Sequence, residues 1–170
     1  TAEAHFKITA DQLMESITDK TKVLILNSPS NPTGMLYSKE ELGAIAEVCV
    51  KRNIYVISDE IYEKLIYDTS EYISIASLGK DIYDLTVTVN GVSKAYSMTG
   101  WRIGYAAGPK NVISAMNKVQ SQINSHATSI SQAAAVAALN GPQDFMAERA
   151  AIFKDRRDLV VSMLNQAKGI

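Results

Sequence analysis

The 170-residue chain has a single cysteine, Cys49, so it holds no internal disulfide and no cysteine-based metal cluster. A reducing compartment, most simply the cytoplasm, is the address such usage predicts. Its two histidines, His5 and His126, lie far apart with no carboxylate or cysteine at ligand spacing, and no metal site is expected. Long apolar runs are missing too: nothing approaches the roughly 18 residues of a membrane span, and the start "TAEAHFKITA" lacks the charged and apolar regions of a signal peptide. Neither sign of charge dominates. With 17 Lys+Arg against 18 Asp+Glu the net charge is -1, which implies neither a basic face for nucleic acid nor an acidic tail. Repeats, low-complexity tracts and linkers are likewise absent, so one domain is expected, and at 46% apolar residues it can bury a substantial core.

What is present is an alternation of periods. "ITADQLMESIT" places Thr9 as a helix N-cap, with Leu13, Met14 and Ile17 on one face. "KVLILN" (22–27) is a short apolar run typical of a strand buried on both faces, and "SPSNPTG" follows as a turn. Ser38 and Glu41 form a capping box for a helix with Leu42, Ile45, Ala46, Cys49 and Val50 inward. "IYVISDE" (54–60) is again β-branched, so 22–58 reads strand, helix, strand, a parallel βαβ unit. "LTVTVNG" (85–91) and "RIGYAAG" (102–108) are further strands, and helices follow over 111–123, 129–141 and 143–169. The expected class is α/β, a mostly parallel sheet with flanking helices and a helical C-terminal part.

In open α/β sheets, ligands sit beyond the carboxyl ends of the strands. Three strands here run into polar groups: Asn31 in "NPTG", Asp59 and Tyr62 in "SDEIY", Ser93 and Lys94 in "SKAYSMTGWR". Each alone reads as a polar turn, and Asp59 as a helix N-cap. Arg102, eight positions beyond Lys94, sits in the apolar company of "GWRIGY", which argues against a fully exposed arginine. Chemically, a lysine amine condenses with an aldehyde to give a Schiff base, and an arginine fork grips a phosphate in a bidentate manner.

The order and spacing of Asn31, Asp59, Tyr62, Lys94 and Arg102 resemble the large cofactor domain of the fold-type I pyridoxal-phosphate enzymes, most closely the class I aminotransferases of the bacterial aspartate-aminotransferase-like branch. The resemblance spans essentially the whole chain. It implies pyridoxal 5'-phosphate carried on Lys94, which also moves the substrate proton. It further implies Asp59 against the ring nitrogen, Asn31 and Tyr62 on the phenolic oxygen, Arg102 on the phosphate, and a cis Asn31–Pro32 bond. The catalytic set so implied is Lys94, Asp59 and Tyr62, and the cofactor set Asn31, Asp59, Tyr62, Ser93, Lys94 and Arg102. An amino acid and a 2-oxo acid are the implied substrates, in a homodimer whose partner's site is approached by "SHATSIS" (125–131).

One position departs from the pattern. The family often has Ser or Thr three residues before the lysine as a phosphate ligand; here Gly91 stands there, leaving the Ser93 hydroxyl as the substitute. The resembling enzymes also carry a phosphate loop and a ring-stacking aromatic before this region, and a small domain with a carboxylate-binding arginine after it. Residues 1–170 therefore read as part of the large domain, with weak or no turnover expected of this piece alone. Two other readings remain open on these residues: an eliminating enzyme such as a C–S lyase, or a ligand-sensing domain of a transcription regulator. Tyr96 and Trp101 read equally as core or as cofactor-site walls, and "FKDRRD" (153–158) as a solvated helix face.

Overall fold

The computed structural model describes residues 2–67 and 70–169. Helix α1 (Ala10–Ser16) starts as its sequence predicts: the Thr9 hydroxyl accepts from the Gln12 N–H and the Gln12 side chain accepts from the Thr9 N–H. These two bonds satisfy donors that a helix start leaves open. Strand β1 (Val23–Asn27) leads through the proline-rich turn to α2 (Lys39–Arg52), opened by the Ser38–Glu41 capping box. Asn53 ends α2 in the left-handed region, and β2 (Tyr55–Asp59) follows.

A short helix α3 (Lys80–Tyr83), which periodicity alone did not reveal, precedes β3 (Thr86–Gly91). Strand β4 (Gly104–Ala107) is shorter than the expected 102–108, because Arg102 takes a left-handed backbone that closes a 3-10 turn over Thr99–Trp101. Three helices follow: α4 (Lys110–Ile123), α5 (Ser129–Asn140) and α6 (Phe145–Leu164).

The sheet runs β1-β2-β3-β4, with β1–β2 and β2–β3 parallel and β3–β4 antiparallel. Its register sets Asn27 beside Asp59 and Asp59 beside Val89, which brings the carboxyl ends of all three parallel strands level. The core lies on the side covered by α1, α2 and α3. Leu42, Ile45 and Cys49 of α2 are at most 1% exposed and pack with Leu26, Val56 and Ile82 in one cluster. Burying each such large aliphatic side chain stabilises the fold by about 1.5–3 kcal/mol.

Two expectations about burial are corrected. Strand β1 is covered on one face only: Leu26 is buried, while Val23 and Ile25, pointing the other way, are 45% and 73% exposed. An apolar run marks a strand but does not count the layers stacked on it. Val50 is 37% exposed, at the edge of the buried stripe of α2. The C-terminal helices are also thinly covered; no residue of α4 or α6 is fully buried, and α5 buries only Ser131 and Ala135. Among the described residues no helix is long and apolar enough to cross a membrane.

Candidate functional site

The carboxyl ends of β1 and β2 are tied together by a residue that sequence reasoning passed over. The Asn27 side chain donates from Nδ2 to the Asp59 carbonyl at 3.1 Å, and its Oδ1 accepts the Asn31 N–H at 2.9 Å. One amide thus pins the "NPTG" turn to the strand that carries Asp59. The turn closes on itself through Gly34 N–H to the Ser30 carbonyl, at 2.8 Å, with Gly34 at φ 71. Both Ser28–Pro29 and Asn31–Pro32 are cis; the second is the bond the resemblance implied, the first was not foreseen.

So placed, Asn31 donates from Nδ2 to the Tyr62 hydroxyl oxygen at 3.2 Å, across 31 positions of sequence. Tyr62 accepts that bond and keeps its own O–H proton to donate. The Lys94 amine lies 5.5 Å from the centroid of the same Tyr62 ring, within range of a cation–π attraction. Three residues from three strand ends are therefore brought into one group.

Lys94 also lines a cavity of about 370 Å³ together with Ser93, Thr99, Arg102 and Gly104. Among the described residues, its lining includes Lys94 and Arg102 and no carboxylate. Arg102 donates from Nη1 to the Thr99 carbonyl at 3.0 Å, which fixes one arm of the fork. A non-glycine residue held at φ 51, ψ 50 is uncommon and aims this side chain where an ordinary strand residue would not. A second cavity, about 540 Å³, borders the group from the other side, with Asn31, Pro32, Tyr62, Tyr67 and Arg157 in its wall.

Asp59 is half-buried at the end of β2. No helix follows it, so the N-cap reading is corrected to a turn: its Oδ1 accepts the Ile61 N–H at 3.2 Å. The next residue, Glu60, is 4% exposed and was also missed. Its Oε1 accepts from the Ser58 hydroxyl at 2.8 Å and the Ser74 hydroxyl at 2.7 Å, so the buried carboxylate has partners and ties the 74 region to the end of β2. A charged residue directly after an apolar strand was the available signal.

Gly91, the departure from the resemblance, sits where a side chain has little room. It stands opposite Gly104 in the antiparallel pair, and a Cβ on it would come within 2.9 Å of the Ile103 carbonyl oxygen. Tyr96 turns away from the group: its ring meets Phe145 at 6.1 Å and its hydroxyl donates to Gln143 at 2.9 Å, so it packs rather than lining the cavity. Burial, then the nearby negative charge of Glu63, raises the Tyr96 hydroxyl above its ordinary value. Trp101 is 43% exposed. In the charged run of α6, Lys154 and Arg157 both pair with Asp158, a solvated face as expected, and Arg157 also lies 5.3 Å from the Tyr67 ring.

The family model described as aminotransferase class I and II matches residues 1–170. The chain belongs to that family. Within it, the chain is 55% identical over 171 residues to a probable aspartate/prephenate aminotransferase of Rhizobium leguminosarum bv. phaseoli, covering 100% of this chain and 43% of that protein. It is 50% identical to an aspartate aminotransferase of Bacillus sp. (strain YM-2), with 99% and 43% covered. Among solved structures, the aspartate aminotransferase from Rhizobium meliloti superposes with a TM-score of 0.96 at 49% identity, over 99% of this chain and 42% of that one. The chain thus spans about two fifths of the length of the relatives it matches. The family's cofactor is pyridoxal phosphate. The donor set fits such a group: a cavity lined by an amine, a guanidinium and a serine suits a phosphorylated aldehyde, and the Asn31–Tyr62 pair offers donors beside it.

Proposed function

We propose that the protein to which this chain belongs transfers an amino group between an amino acid and a 2-oxo acid, and that residues 1–170 form part of its cofactor-binding large domain. The observation that carries this reading is Lys94 lining one cavity with Arg102 while its amine lies over the ring of Tyr62, itself bonded to Asn31. The names and identities of the aminotransferases above support the same reading.

Bound pyridoxal phosphate would supply an aldehyde for amines and a ring that accepts electron density from the substrate's Cα. The chain's own residues do the rest. Lys94 would supply the amine that holds the aldehyde carbon, and its Nζ, when free, would move a proton between the substrate's Cα and the cofactor carbon. Arg102 would bind the phosphate through the arm not committed to Thr99, with Ser93 adding a hydroxyl. Asp59 would face the ring nitrogen as a carboxylate that keeps it protonated, and Asn31 with Tyr62 would donate to the phenolic oxygen. Asn27 orients Asn31 against the Asp59 strand end. The same reading makes the protein a homodimer, with the segment 125–131, where Ile130 is 72% exposed, at the partner's site.

The test is chemical trapping. Pyridoxal phosphate is added, the visible absorbance is followed, borohydride fixes the adduct, and peptide mapping identifies the labelled lysine. Label on Lys94, lost in Lys94→Ala, supports the assignment; equal labelling of Lys94→Ala overturns it.

A further inference from the structure

Lys94 stands in a turn, not in a helix or strand, and that turn is gripped from a distant part of the chain. Within it the Tyr96 N–H reaches the Val92 carbonyl at 3.3 Å and the Ser97 N–H reaches the Lys94 carbonyl at 3.2 Å, both long bonds. Ser97 is itself left-handed, at φ 53. Between them lies Ala95, 5% exposed, whose carbonyl needs a partner because a buried acceptor left unpaired is costly. That partner is Arg149 of α6, which donates from Nη1 at 2.9 Å across 54 positions of sequence.

Arg149 is itself held. Its guanidinium lies 4.8 Å from the Phe145 ring centroid, and the Phe145 ring meets Tyr96, whose hydroxyl donates to Gln143. A planar guanidinium can cover a ring and donate sideways at once, which an ammonium does poorly. Since α6 buries no residue fully, this contact adds little to the central core; its mechanical effect falls on the turn that carries Lys94.

We propose that Arg149 is a positioning residue for Lys94. By fixing the Ala95 carbonyl it holds the 94–97 turn so that Nζ stays between the Tyr62 ring and the Arg102 cavity. The role rests on the reading of Lys94 as the residue that carries the cofactor aldehyde. Nothing in this role requires Arg149 to touch substrate or cofactor.

Two measurements on the whole chain separate the possibilities. Amide hydrogen exchange, which needs no cofactor, is compared for the unmodified protein, Arg149→Ala, Arg149→Lys and, as a control on the same helix, Arg156→Ala. Loss of a hydrogen bond from a charged donor is expected to raise exchange at Tyr96 and Ser97 by about tenfold or more in Arg149→Ala. Exchange at Cys49 and Val56 in the core should not change. Arg149→Lys should fall between, and should decide the matter if Arg149→Ala does not fold. The second measurement is the rate and pH profile of pyridoxal phosphate trapping at Lys94. The rate should fall and the profile shift in Arg149→Ala, recover partly in Arg149→Lys, and stay put in Arg156→Ala. Unchanged exchange at Tyr96 and Ser97, an equal rise at Cys49 and Val56, or loosened exchange with unaltered trapping would each overturn the proposal. Failure of the unmodified protein to label Lys94 would instead sink the assignment of Lys94 and leave the exchange result to report on the clamp.

Discussion

Gly91→Ser replaces the glycine three residues before Lys94 with the hydroxyl residue that the family resemblance leads one to expect there, and pattern matching alone would predict a better phosphate site. The structure predicts the opposite. A Cβ at this position would sit 2.9 Å from the Ile103 carbonyl oxygen and 3.2 Å from both Gly104 Cα and Ile61 Cδ1. Two of those three atoms are backbone of the neighbouring segment, so the β3–β4 pair must spread. Overpacking of this kind costs about 1–3 kcal/mol, and the restricted unfolded chain returns about 0.4–1 kcal/mol, leaving a net loss centred near 1.3 kcal/mol. With an m-value of about 2 kcal/mol/M, the urea midpoint should fall by roughly 0.6 M. Ile61, Ile103 and Gly104 also line the cavity that holds Lys94 and Arg102, so spreading the pair displaces the candidate phosphate site itself. The assay pairs urea unfolding, followed by far-UV circular dichroism, with the pyridoxal phosphate concentration needed for half-maximal trapping at Lys94. Both should worsen together. A midpoint that holds or rises, with trapping at lower cofactor concentration, would refute the steric reasoning and restore the hydroxyl-ligand one.

Two further outcomes follow from groups away from the site. Burial by itself would raise the Glu41 carboxyl, but hydrogen bonds from Lys7 and the Ser38 N–H outweigh it and hold the group below its ordinary value. A carboxyl lowered on folding adds stability above its unfolded value, and the increment is lost as pH falls through the lower, folded value. Glu41→Gln keeps the Ser38 cap and loses the pairing with Lys7. It should therefore cost under about 1 kcal/mol near neutral pH, with the gap from the parent closing in acid; a gap independent of pH in urea titrations would contradict this. Cys49 is 0% exposed and burial pushes its thiol up to about 11. Iodoacetamide should leave it untouched at about pH 8 until urea unfolds the chain, and prompt native-state alkylation would show that α2 opens readily.

Much of the site was legible because its signals are local. Helix starts at Thr9 and Ser38 declare themselves within four residues: Thr9 caps α1, and the Ser38–Glu41 box formed. The strand–turn boundaries at Asn31, Asp59 and Lys94 follow from a change of hydrophobic period, so each residue could be set at a strand end before its neighbours were known. The "NPTG", "SDEIY" and "SKAYSMTGWR" stretches then carried the family by their order along the chain.

The rest depended on pairs that no local pattern encodes. Asn27 matters because parallel register lays it beside Asp59, and Gly91 because an antiparallel strand crowds it. Glu60 is tolerable inside only because Ser74 arrives 14 residues later to share its oxygen with Ser58. Arg149 acts on the Lys94 turn only because folding sets it against the Ala95 carbonyl. Composition, caps and strand ends were determined by the sequence alone, since each is settled by forces acting within a turn or two. Which face of β1 stays open, which glycine is compulsory and which arginine steadies Lys94 were decided by the tertiary structure, because close approach and hydrogen-bond satisfaction are properties of segments that meet only after folding.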